Sequence, residues 1–551
     1  MKILRSLVLV ICLVSLHAAQ NDAARMRNAG PPKSETLMLG LGNLHHPVST
    51  SNAQAQQFFD QGLRLIYAFN HDEAARSFQR AAELDPKLAM AYWGVAEAVG
   101  PNYNDPGSED RFKQAHDAIQ KALDLSAGSP ASEQAYINAM VKRFPADPKS
   151  DIKTAAEQYR DAMRQVMQKY PDDLDAATLF AESGMNLHPW GLWHHDGTPV
   201  EGTDEIIATL ESVIKRDPNH LGAVHYYIHA VEASPSPERA LAEANRLAAL
   251  APSAGHIVHM PAHVYIRTGD YEAAVRTNEA AARADEAYIG ATGAKGIYPG
   301  MYYSHNLHFI AIAASMDGDF AEAKQAASRL VNQVQPLLHD MPMLEGFMTI
   351  PTAVLVRFEK WDDVLKSPQP DVNLKTAGVF WHYARGMALA ATSKTAEAEK
   401  EHQLIVDAKN ATPEDVIFAP PFNNKTKSIL QIADDVLAAK IALAQHDTGA
   451  AIDRLKDGVA VQDSLNYGEP PDWYFPVRES LGATLLLSGD ATAAERVFRE
   501  DLDHNPRNPR SLFGLRESLR KQGRNYDAGF VENQFRTAWK GDTSLKLEDL
   551  V

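Results

Sequence analysis

Of the chain's 21 histidines, eight fall between His220 and His308, and their spacing matters more than their number. His225, His229 and Glu232 stand at i, i+4 and i+7. His256, His259 and His263 stand at i, i+3 and i+7, and His305 and His308 at i, i+3. On a helix these intervals put the side chains on one face. Neutral imidazole is the commonest transition-metal ligand, and two imidazoles a turn apart give half a coordination shell that a neighbouring helix can complete. Seven histidines and a glutamate exceed what one tetrahedral ion needs. They suit two ions, or one ion with a histidine-rich outer shell. Glu232 is then a candidate ligand or catalytic general base. Cys12 is the only cysteine and no Met-rich run accompanies it, which argues against soft Cu(I) storage and leaves copper(II), iron or zinc as the expected ion. An open coordination position would permit catalysis through bound water or dioxygen. Pro261, inside the second group, removes a backbone donor and predicts a local kink.

The elements that must position these side chains are visible as punctuation. Gly62, Ala74, Phe78, Ala81 and Pro86 mark one unit of two helices, with small residues where the helices approach and Asp85-Pro86 at its end. Asp217-Pro218 and Pro252 repeat the terminator, and Gly269-Asp270-Tyr271, Gly318-Asp319-Phe320 and Gly489-Asp490 repeat the turn inside a unit. Pro218 and Pro252, like Gly489 and Gly523, are 34 residues apart. This pattern resembles the tetratricopeptide-repeat (TPR) family over most of residues 51–535. The resemblance implies an all-α, TPR-type α-solenoid, a superhelix of antiparallel helix pairs, with inserted loops. It further implies that recurring places on the first helix of each unit face a concave groove. His225, His229 and Glu232, then His256, His259 and His263, then His305 and His308 all fall at such places. Glu97 and Glu182 occupy the same phase in earlier units, as Glu479 does in a later one, and Arg267 follows the second group where it could receive a carboxylate or pair with Glu232.

Composition bounds the rest. With 551 residues and a formal net charge of −17, the chain suits a repeat array and argues against nucleic acid or an anionic membrane as partner. Lys2 and Arg5 followed by Leu7 to Leu16 and Ala18-Ala19 read as a signal peptide over 1–19, which predicts an exported protein, periplasmic or secreted, with no transmembrane anchor. The expected organisation continues with a flexible lead-in over 20–50, N-terminal units over 51–200, a central histidine-rich block over 201–365, C-terminal units over 366–540 and a tail over 541–551. Asn186 to Thr203, rich in aromatics, and Gly290 to Gly300 read as insertions that close over or shape the groove. No phosphate loop, dinucleotide fingerprint, H-E-x-x-H helix or nucleophile elbow is present.

Two functions compete. One is an exported metal-dependent enzyme with a small-molecule or peptide ligand in its groove, oxidoreductase ahead of hydrolase because nearly all-imidazole sites suit dioxygen chemistry. The other is a non-catalytic adaptor that binds peptides or proteins, as TPR folds commonly do. Metal delivery without turnover is a third.

Overall fold

The computed structural model describes residues 36–146, 151–419, 424–541 and 545–551. The expected signal peptide and the first part of the expected lead-in lie outside the described residues. The chain forms two compact units. The first runs to Val264 and takes in Ala280–Tyr303; the second comprises Tyr265–Glu279 and Ser304–Val551. The boundary thus falls inside the stretch that the sequence groups as one histidine-rich block.

In the first unit, helices follow one another as antiparallel pairs: Ala53–Tyr67 with His71–Leu84, Ala89–Val99 with Glu109–Leu125, Ala131–Arg143 with Ile152–Lys169, Leu174–Met185 with Thr203–Arg216, and Leu221–Val231 with Leu241–Leu250. Local chemistry starts them. Asn52, Ser108 and Asp173 accept backbone N–H groups at the helix entrances, satisfying donors that a first turn leaves open. The small residues of the motif make room for an aromatic. A Cβ on Gly62 would stand 2.7 Å from the ring of the fully buried Phe78. Gly62→Ala is therefore expected to lower unfolding free energy by about 1–3 kcal/mol through overpacking, read as a shifted urea midpoint at unchanged slope.

Residues 36–50, expected to belong to a mobile lead-in, instead pack on this unit. Leu41 is buried. Arg64 donates through Nε to the Leu44 carbonyl (2.7 Å), and Ser49 Oγ donates to Glu133 (2.6 Å). His46 Nδ1 lies 2.8 Å from Asp175, which also accepts from the Tyr67 hydroxyl at 2.7 Å. Burial alone would depress His46, but the contact with Asp175 outweighs it and holds the imidazolium up to about 9. These partners are distant from the stretch in sequence, so its own residues do not announce them.

The second unit repeats the plan. Its pairs include Ser304–Asp317 with Phe320–Val334, Lys375–Ala391 with Thr395–Ala411, Thr426–Ala444 with Thr448–Asp463, Val477–Leu487 with Ala491–His504, and Pro509–Lys521 with Asn525–Ala538. The expected turns at Gly318 and Gly489 have φ of +97° and +100°, where a side chain is strained. Glu479 is held here by both guanidinium nitrogens of Arg357 and by Asn508, so it serves a buried structural ion pair. The all-α, TPR-type repeat fold expected from the sequence is what the structure shows. No helix among the described residues is long and apolar enough to cross a membrane.

Candidate metal centre

Two short stretches of the first unit carry five of the histidines. Leu221–Val231 is apolar all round and every one of its residues is buried, as a helix packed on several sides must be. It presents His225 and His229. The second stretch is not one helix. Gly255–His259 ends at Met260, and a new helix, Pro261–Arg267, begins with the proline at its first position, where the missing N–H costs nothing. The expected kink is a break, which places His256 and His259 before it and His263 after it.

Phe69 organises the first group. It sits in the turn between the first two helices with φ of +54°, an uncommon conformation for an aromatic residue. Its ring stacks on His229 (5.4 Å, 19°) and His256 (5.2 Å, 19°) and meets His225 edge-on at 4.7 Å. Backbone strain of this kind is retained where surrounding structure demands it. Tyr103 and Trp190 pack against His229, and Tyr302 against His256. Asn104 ties this wall together, accepting from the Trp190 indole at 3.0 Å and donating to the Tyr302 hydroxyl at 3.1 Å. The Asn186-to-Thr203 loop, which supplies Trp190, is pinned by Trp193, whose indole donates to the Ala230 carbonyl at the end of the His225 helix (2.8 Å).

Hydrogen bonding fixes which nitrogen each ring presents. The Tyr67 carbonyl lies 2.6 Å from His225 Nδ1; a carbonyl only accepts, so Nδ1 carries the proton and Nε2 keeps its lone pair. Glu232 Oε1 accepts from His229 Nδ1 at 3.0 Å, and Oε2 lies 2.6 Å from His263 Nδ1 as an ion-pair contact. An ionised carboxylate also only accepts, so both Nδ1 atoms carry a proton and both rings turn Nε2 away from it. His225 Nε2 faces His256 Nε2 at 3.1 Å, near the ~3.3 Å edge of a tetrahedral site with metal–nitrogen bonds of about 2.0–2.1 Å. His229 Nε2 is buried and has no hydrogen-bond partner. One nitrogen from each of His225, His229 and His256 lies within 4.8 Å of the others.

Electrostatics agree with this protonation. Burial first, and neighbouring imidazoles next, push His225 and His256 well below the usual imidazole range; burial lowers His229 as well. Burial would raise the Glu232 carboxyl, but His263 and His229 outweigh it and hold it down at about 2. His225, His229 and His256 are therefore neutral, the form in which imidazole binds metal. Glu232 has both oxygens turned to imidazole Nδ1 atoms. That is the place of an orienting acceptor behind the ligands, not of the ligand or free general base that its helical spacing suggested.

Glu97 and Glu182 are elsewhere. Glu97 is paired with Arg143, which donates from Nη1 at 2.9 Å, both side chains buried. Glu182, buried near them, is pushed up to about 8 by burial and by the charge of Glu97. These acids form an internal ion-pair group of the first unit. His305, His308 and Arg267 belong to the second unit. There His308 is buried edge-on against Phe347 and Tyr474, His305 packs on Phe309, and Arg267 lies over the Tyr467 ring at 5.6 Å. Sequence reasoning missed Phe69 and Tyr67 altogether.

A comparison with protein-family models finds none that matches the chain, and one with curated protein sequences finds none either. Similar solved structures include a tetratricopeptide repeat protein from Parabacteroides merdae, at 14% identity over 60% of this chain and 93% of that one with a TM-score of 0.31. Others are human IFIT1 as a dimer with m7Gppp-AAAA, at 10% identity over 89% and 91% with a TM-score of 0.36, and yeast Tom70, at 10% over 88% and 90% with a TM-score of 0.29. The fold rests on the chain's own antiparallel pairs, their 34-residue punctuation and the small residues that seat Phe78, and it is of the tetratricopeptide-repeat type.

Proposed function

We propose that this chain is a metal-binding TPR protein that holds a transition-metal ion, copper, iron or zinc, at His225, His229 and His256. The reading extends to a redox reaction on a small molecule, with copper or iron as the working ion. One observation carries it: three imidazole nitrogens converge, and one of them, His229 Nε2, is a buried lone pair with no partner. An unpaired buried nitrogen costs about 1–3 kcal/mol, a cost that a bound ion removes. The imidazole set excludes nothing among copper, iron and zinc, whereas the wall of Phe69, Tyr103, Trp190 and Tyr302 supports the redox choice, because Tyr and Trp rings in contact with ligands are themselves oxidisable. Bound there, such an ion would supply electron transfer or polarise a coordinated small molecule. The chain's residues orient the rings through Tyr67 and Glu232 and exclude water. The exported setting expected from residues 1–19 belongs to the same proposal.

The competing adaptor reading needs no ion. Elemental analysis by plasma mass spectrometry of untagged protein, purified without chelator, separates the two. At least one equivalent of copper, iron or zinc is expected. Protein that stays metal-free after reconstitution with each ion would sink the metal reading and return the fold to peptide recognition.

A further inference from the structure

Glu232 does more than orient one ligand. Its two oxygens reach Nδ1 of two imidazoles on different helices, His229 at 3.0 Å and His263 at 2.6 Å, and all three side chains are about 1% exposed. Each of those rings therefore turns an Nε2 lone pair away from the carboxylate. His229 turns its lone pair into the group with His225 and His256. His263 turns its own toward a different residue, His259, whose Nε2 is 2.8 Å away. The His259 and His263 rings meet at 83°, and both are buried. The two groups are neighbours: the ring of His256 is 5.7 Å from that of His259, and the ring of His229 is 5.8 Å from that of His263.

We infer that the first unit holds two metal ions, the second between His259 Nε2 and His263 Nε2, with Glu232 orienting one ligand of each. The inference rests on the reading of His225, His229 and His256 as the first site. A transition metal of the imidazole-preferring kind fits the second position. The break at Pro261 acquires a purpose here. It offsets His263 from the helix that carries His256 and His259, so its Nδ1 reaches Glu232 while its Nε2 faces back to His259. Without an ion, the 2.8 Å contact is an N–H···N hydrogen bond with the proton on His259, so stoichiometry decides between the two accounts.

The full chain, stripped of metal, is titrated with copper(II) and followed by calorimetry, with X-band EPR of the loaded protein. Two equivalents and a half-field signal from ions a few ångströms apart are expected. The His259→Phe/His263→Phe double variant should bind one equivalent and lose the half-field signal. Glu232→Gln gives a third readout. Its amide offers one acceptor and one donor, so one of the two rings must move its proton to Nε2, and one of the two equivalents should weaken about 10–100-fold while the other is kept. One equivalent in the wild type, unchanged in the double variant, overturns the second site and leaves the first standing. No binding in the wild type overturns both. Should the double variant fail to fold by circular dichroism, the wild-type stoichiometry and half-field signal decide alone.

Discussion

His256→Phe is expected to abolish tight metal binding at the site of His225, His229 and His256 and leave the apo-protein at least as stable as the parent. The His256 ring stacks on Phe69 and stands edge-on to Tyr302, contacts that a phenyl ring can reproduce. What the phenyl ring lacks is the nitrogen facing His225 at 3.1 Å. Removing one of three ligands should raise the dissociation constant at least 100-fold. Buried imidazole is costly without its ion, and burial already holds His256 well below its usual titration range. Replacing it with an apolar ring removes that cost, against about 1–3 kcal/mol of overpacking from the larger side chain. The expected outcome is thus opposite movement of function and stability, as at sites where a fold carries groups for chemistry rather than for packing. Calorimetric copper titration and urea unfolding of the apo-form check it. Loss of several kcal/mol of apo-stability with metal affinity intact would mean that His256 is a packing residue.

Much of this centre is legible in the sequence. Helical spacing puts His225 with His229 and His256 with His259, and repeat punctuation puts both groups in one phase, because residues three and four apart share a helix face. What spacing cannot show is the environment between helices. Phe69 reaches three imidazoles only because a turn holds it at positive φ, and nothing in Ala68-Phe69-Asn70 announces this. The acceptor that sets the tautomer of His225 is a backbone carbonyl, 158 residues away in sequence, and carbonyls carry no signature. Glu232 read as one more member of the His225 face. Its role comes from His263 on another helix, and a single face cannot reveal a residue that serves two. His46 and Asp175, 129 residues apart, show the same limit in the fold: the stretch 36–50 is short and Gly-containing, yet is ordered by distant acids.

Acid should unfold the apo-protein far more readily than the metal-loaded one. In the folded first unit His225, His229 and His256 are lowered by burial, and His71, beside Phe69, is lowered to about 4 by burial first and Arg111 next. In the unfolded chain each titrates near 6.5. Between those limits the unfolded state binds protons that the folded state refuses, so stability falls as pH drops below about 6.5 and continues to fall until the folded groups themselves protonate. His225, His256 and His71, which stay unprotonated through this window, each contribute about 1.4 kcal/mol per pH unit, and Glu182, held up to about 8, offsets one of them, which leaves about 3 kcal/mol per unit. Over the window that approaches the lower end of an ordinary domain's stability, about 5–15 kcal/mol. The apo-form should therefore lose its near-ultraviolet circular dichroism cooperatively between about pH 6.5 and pH 5. A bound ion stabilises the native state by mass action and occupies the lone pairs that protons would take, so the loaded protein should hold its signal at least one pH unit lower. His256→Phe, which removes one titrating group, should shift the apo-transition downward without any metal. Superimposable acid transitions for the apo and loaded forms would show that the imidazoles are not where the ion binds, whatever the metal content.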